Sequence, residues 1–242
     1  MSAFLAVSGL TRRFGGLVAV NDVSFDVGQG EVVGLLGPNG SGKTTVLNMV
    51  SGSLRPSGGD IRLNGETLAG RPAHDVARKG IARTFQLVRI LPSLSVAENI
   101  IAALAFRRAP LWGAEAHDSA DELLATVGLG GRGREQAEDL TYIDQKRMEL
   151  ARALASQPQL LLLDEWLAGL NPTELRVGID LISSLRESGI TIVLVEHVME
   201  AVRALCGRCI VMTAGSKIAD GETADVLRDP EVVRAYLGDG HA

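Results

Sequence analysis

A chain of 242 residues is long enough to bury a sizeable core, as one large domain or as two lobes sharing a core. Apolar residues make up 46% and charged residues 22%, an ordinary globular balance, and a net charge of -5 lacks the basic footprint of a protein that grips duplex nucleic acid. No apolar run approaches the roughly 20 residues that cross a bilayer. Met1 to Thr11 has no charged stretch ahead of an apolar segment, so a cytosolic protein is expected, with any membrane role coming through a partner.

In chain order, residues 4–8 and 17–27 read as strands. The run Glu31 to Leu36 shows no alternation, the pattern of a strand buried on both faces of a parallel sheet. Directly after it comes Gly37-Pro38-Asn39-Gly40-Ser41-Gly42-Lys43-Thr44-Thr45, the Walker A pattern, placed between a buried strand and a helix. Its glycines let successive backbone N–H groups converge on one anion, and the helix opening near Gly42 aims its positive end at the same point. Lys43 is then positioned for the β and γ phosphates of a nucleotide, and the Thr44 hydroxyl for Mg²⁺.

Residues 60–64 read as a further strand, after which the character changes. Between about residues 87 and 155 strand signals give way to helical stretches at Val96 to Arg107, Glu115 to Val127 and Gln145 to Ala155, broken by Ala109-Pro110-Leu111-Trp112-Gly113 and Gly128-Leu129-Gly130-Gly131. This predicts a helical lobe, 87–155, inserted into an α/β core formed by 1–86 and 156–242.

Leu160 to Leu163 is again a buried strand, and it ends in Asp164-Glu165, the Walker B pattern. Alternation along a strand sends the two carboxylates to different places. Asp164 is thereby a candidate for Mg²⁺ and Glu165 for orienting the attacking water. Ile190 to Val195 is another buried run. Cys206 and Cys209 form a Cys-x-x-Cys spacing, read as small buried residues entering the strand Ile210 to Met212, since no histidine near in sequence completes a zinc site.

With these motifs in place, the chain resembles ABC ATPases along its whole length. The resemblance implies a single P-loop ATPase domain, α/β in class, with an inserted helical subdomain and an N-terminal antiparallel β region. It implies that Gln86, in Arg83-Thr84-Phe85-Gln86, senses Mg²⁺ and the γ phosphate, and that its loop touches a membrane subunit. Leu140-Thr141-Tyr142-Ile143-Asp144-Gln145 stands at the signature motif, Ala168-Gly169-Leu170-Asn171-Pro172 at the D-loop, His197 at the γ-phosphate switch and Phe14 at the adenine platform. Finer features resemble the ATPases of branched-chain amino acid importers and of related urea or amide systems: Arg13-Phe14-Gly15-Gly16-Leu17-Val18-Ala19-Val20, Tyr142, Gly169-Leu170-Asn171-Pro172 and the tail 232–238. The implied partners are integral membrane permease subunits, a second ATPase subunit and, indirectly, a solute-binding protein. The implied location is peripheral, on the cytoplasmic face of the membrane.

Two positions depart from the family pattern. Ile143 stands where the signature motif carries a glycine, and Trp166 where a proline follows the glutamate. In the two-ATPase sandwich, Thr141 and the Ile143 N–H of one subunit close over the ATP of the other. The branched side chain of Ile143 would restrict the backbone and crowd a phosphate that must approach closely, a positive φ there would be strained, and Trp166 would add bulk near the dimer interface. These departures keep alive an alternative, a regulatory subunit that binds ATP and hydrolyses it poorly. A soluble ABC ATPase of DNA repair or translation is disfavoured by the single P-loop, the short helical lobe and the acidic balance.

Overall fold

The computed structural model describes residues 3–237, so the expectations resting on Met1, Ser2 and Gly238 lie outside the described residues. β1 (Leu5–Phe14) and β2 (Leu17–Val27) pair antiparallel through a turn at Gly15-Gly16, the first strand running six residues beyond the predicted 4–8. β3 (Val32–Leu36) leads through the glycine loop into α1 (Lys43–Val50). β4 (Gly58–Leu63) and the two-residue β5 (Glu66–Thr67) complete a four-stranded antiparallel sheet in the order β2-β1-β4-β5.

The chain then forms α2 (Ala73–Arg78) and β6 (Ile81–Arg83), and next α3 (Val96–Leu104), α4 (Gly113–Thr126), a 3-10 turn at Ala137–Asp139 and α5 (Tyr142–Ala155). These helices start and stop where their caps are. Ser95 and Glu98 close a reciprocal capping box on α3. The Thr141 hydroxyl accepts from Asp144 N–H, which starts α5 three residues ahead of the predicted Gln145. After α5 come β7 (Leu160–Asp164), α6 (Pro172–Glu187), β8 (Thr191–Val195), α7 (Met199–Leu205), β9 (Arg208–Thr213), β10 (Ser216–Glu222), α8 (Thr223–Val226) and α9 (Pro230–Leu237). Asn171 caps α6 in a second capping box, with Pro172 at its first position.

The second sheet has the order β10-β9-β3-β8-β7-β6, parallel throughout except at β10. Alternation divides each buried strand between two cores. Val32, Leu36, Leu161, Leu163, Ile192 and Leu194 join the helices α3–α7, whereas Val33, Leu35, Leu160, Leu162, Val193 and Val195 join α1 and the antiparallel sheet. A sheet covered on both faces leaves its C-terminal strand ends as the open rim, and the loops after β3, β6, β7 and β8 meet there. Cys206 and Cys209 are buried free thiols packed against Gly34 in the middle of β3.

Candidate active site

The glycine loop is shaped by three left-handed residues, Gly37, Gly40 and Gly42. A Cβ at Gly37 would lie 2.1 Å from the Met212 carbonyl oxygen, and one at Gly42 2.6 Å from that of Ala19, so sterics as well as φ demand glycine there. Lys43 is buried and turns back over the loop, its Nζ donating to the carbonyls of Gly37 at 2.8 Å and Pro38 at 2.9 Å. Burial lowers its pKa, against the pull of Glu165 and Asp164. Thr44 is exposed, and the Ser41 hydroxyl is buried without a partner. Above the loop lies a cleft of about 530 Å³, whose lining includes Leu17, Asn39, Lys43, Thr44, Gln86 and Glu165.

Across this cleft the strand ends supply the charge. Asp164 is buried, and burial raises its pKa while an ion pair with Arg83 opposes the shift. Arg83 Nη2 donates to Asp164 Oδ2 at 2.8 Å, whereas Asp164 Oδ1 is buried with no partner. An orphaned carboxylate oxygen and an exposed threonine hydroxyl are the kinds of oxygen donor that a hard cation takes. Glu165 takes φ +52°, an uncommon conformation for a residue with a side chain. Its carboxylate bridges two of the residues named from the sequence: Gln86 Nε2 donates to Oε2 at 2.8 Å, and His197 Nε2 lies 2.8 Å from Oε1. Gln86 thereby keeps its amide oxygen free for a second task.

Two expectations come out differently. Ile143 sits in the first turn of α5 and is absent from the positive-φ residues, because the Thr141 cap sets helical backbone there; the strain argument fails. Trp166 is only 2% exposed and points into the helical-side core, with its indole N–H donating to the Lys146 carbonyl at 3.1 Å. The left-handed turn at Glu165 redirects the chain, so the tryptophan adds no bulk to an outer face. Phe14 is 45% exposed and pairs across the hairpin with Leu17, beside rather than within the cleft lining, and the Arg12 guanidinium lies 4.5 Å from its ring centroid. Thr141 and Ile143 do not line the cleft, so within one chain they are not brought to the phosphate loop.

Sequence reading missed two contacts. In sequence Arg83 marks only the start of the glutamine loop, yet it holds one oxygen of Asp164 and, through Nη1, Asn48 on α1. The hydroxyl of Tyr236 on α9 accepts a 2.7 Å hydrogen bond from Gly37 N–H at the mouth of the loop. No local pattern signals a contact spanning nearly the whole chain. Tyr236→Phe leaves that N–H without its acceptor, a loss of about 1 kcal/mol for a neutral hydrogen bond. Nucleotide affinity of this variant is expected to fall a few-fold by equilibrium titration, with the fold intact by circular dichroism.

Residues 20–168 match the family described as ABC transporter, and residues 216–242 match a second, described as branched-chain amino acid ATP-binding cassette transporter. The high-affinity branched-chain amino acid transport ATP-binding protein LivG of Salmonella typhimurium is 42% identical, over 97% of this chain and 98% of its own length. BraF of Pseudomonas aeruginosa, which carries the same description, is 41% identical over the same shares. The solved ADP conformation of an ATP-binding cassette of an ABC transporter superposes with a TM-score of 0.89 at 28% identity, covering 99% of this chain and 100% of the other.

Proposed function

The chain belongs to the ABC transporter family as an ATP-hydrolysing subunit, and from that premise we propose that it powers import of branched-chain amino acids, or a closely related amino acid or amide, through separate membrane subunits. One observation carries the catalytic part. A single carboxylate, Glu165, is held at 2.8 Å by both Gln86 and His197 at the rim of the phosphate-loop cleft. The solute rests on the likeness to LivG and BraF over nearly the whole chain, and on the match of residues 216–242.

In this reading the loop Gly37 to Thr45 surrounds the phosphates of ATP with backbone N–H groups. Lys43 exchanges its two carbonyl partners for β and γ oxygens. Thr44, Asp164 and Gln86 would hold Mg²⁺, which when bound would neutralise phosphate charge. Glu165 accepts a hydrogen bond from the attacking water and keeps it in line, and His197 places its ring nitrogen on the γ phosphate. Phe14 lies at the entrance where the adenine rests. Thr141 and the Ile143 N–H, remote from this cleft, complete the cleft of a second ATPase subunit arranged head to tail. Among the described residues no helix is long and apolar enough to cross a membrane. From the likeness to transport ATP-binding proteins, the reading includes separate permease subunits, a peripheral seat on the cytoplasmic face, and a solute-binding protein acting indirectly.

The alternative of an impaired regulatory subunit keeps only the bulk of the Ile143 side chain as a premise, since the backbone there is helical and Trp166 is internal. The test is steady-state phosphate release by the chain co-purified with its permease subunits in liposomes. Release stimulated by a branched-chain amino acid with its binding protein supports the proposal, and indifference to all such solutes refutes the solute assignment. Glycine at the second position of a helix costs under about 1 kcal/mol. Ile143→Gly is therefore expected to change turnover by less than about threefold; restoration of a silent wild type by Ile143→Gly would reinstate the regulatory reading.

A further inference from the structure

The turn that carries Glu165 is gripped from behind by a buried ammonium. Lys146, on α5, is 2% exposed. Its Nζ donates to the carbonyls of Trp166 at 2.9 Å and Ala168 at 2.8 Å and reaches that of Glu165 at 3.4 Å. An ammonium has three donors and no acceptor, and all three are directed at one four-residue turn. The grip is reciprocal, because the Trp166 indole N–H returns to the Lys146 carbonyl at 3.1 Å. On the other side of the turn, the buried Glu196 carboxylate accepts from Leu167 N–H at 2.6 Å. The turn is thus held by a cation through its carbonyls and by an anion through an N–H, with Glu165 at φ +52° at its start. A left-handed residue with a side chain stores strain and persists only where its surroundings over-determine it.

We propose that Lys146 and Trp166 are positioning residues for Glu165: together they hold the left-handed turn that presents its carboxylate to Gln86 and His197. The same arrangement ties each site to its neighbour. Lys146 lies five residues from Thr141 on one rigid helix, and Thr141 is the group assigned to the partner subunit's nucleotide. α5 thereby joins the group assigned to the partner's nucleotide to the turn bearing this chain's own Glu165. The inference rests on the assignment of Glu165 as the group that orients the water.

The chain has two tryptophans, and Trp112 is 68% exposed, so Trp112→Phe leaves Trp166 as a sole fluorescent reporter of the turn. In that background the indole is expected to emit at short wavelength and resist acrylamide. Lys146→Met keeps the stem and removes the donors, leaving buried carbonyls unsatisfied. It is expected to lower kcat by about 10- to 100-fold, with KM for ATP within about twofold, and to expose Trp166 to acrylamide while a cooperative unfolding transition remains. A residue that only stabilised the fold would reduce the active fraction and leave kcat per folded molecule intact, and that outcome overturns the proposal. Wild-type kcat with a shielded indole also overturns it. Should Lys146→Met fail to fold, Trp166→Phe, which deletes the indole N–H, decides: a fall in kcat of about threefold or more at constant KM supports the clamp, and an unchanged kcat sinks it. Glu165→Gln in the same assay separates the two layers. If that variant still turns over, the assignment of Glu165 fails, while the acrylamide readout on Lys146→Met continues to test the clamp itself.

Discussion

Glu165→Gln lowers steady-state turnover by at least about 10²-fold, the scale of a positioned general base, while ATP still binds. The substitution is close to isosteric. A glutamine side chain still pairs with Gln86 and His197, each of which now stands 2.8 Å from a carboxylate oxygen, so the frame of the cleft survives. What disappears is the negative charge that draws a proton from water. Removing that charge also removes a repulsion facing the incoming phosphates, so affinity for ATP stays equal or rises. Two measurements separate these effects: phosphate release under saturating ATP, and equilibrium titration with a fluorescent ATP analogue. If two subunits enclose the nucleotides, the variant accumulates as an ATP-dependent dimer by size-exclusion chromatography, because the step that reopens it is blocked. Turnover within tenfold of wild type would remove Glu165 from the role assigned to it.

The parts legible in the sequence are those whose physics is local. β3, β7 and β8 announce themselves because strands covered on both faces need no polar alternation, and each of their residues is buried. The phosphate loop is legible because its conformation admits only glycine at fixed spacings. The adjacent pair Asp164-Glu165 is legible because it closes such a strand. What escaped depends on how distant segments meet. Arg83 reaches Asp164 only because β6 and β7 pair in parallel with Arg83 opposite Leu162. Tyr236 reaches Gly37 only after β9, β10 and α8 have folded back along the sheet. The backbone at Ile143 is illegible for a related reason. The motif suggests a glycine conformation, whereas the Thr141 cap and the helix it starts decide the backbone. Trp166 was misplaced because sequence adjacency to a catalytic residue says nothing of direction once φ at Glu165 turns positive.

Trp166→Ala is expected to destabilise the folded chain by about 3–5 kcal/mol, the range for a buried large aromatic, measured as a lower midpoint in urea with an unchanged slope. The indole is enclosed by the helical-side core, and α6 approaches it at Gly178. A Cβ on Gly178 would stand 3.3 Å from the Trp166 ring and 2.5 Å from a Leu167 methyl, so this helix is set as close as a glycine allows. A cavity opened there collapses poorly, because the strand β7 and the capped start of α6 fix both walls. Trp166→Pro, the residue common at this place in the family, empties much of the same space and removes the indole N–H that bonds the Lys146 carbonyl, so it is no reversion to a better state in this chain. Lys146→Met and Trp166→Ala each remove a different one of the two side-chain-to-backbone bonds that join this pair, and because both bonds hold one turn the combined effect on stability falls short of the sum by about 0.5 kcal/mol or more. Strict additivity would mean that the two side chains act on the turn independently, and the tryptophan would then be a core residue that happens to follow Glu165.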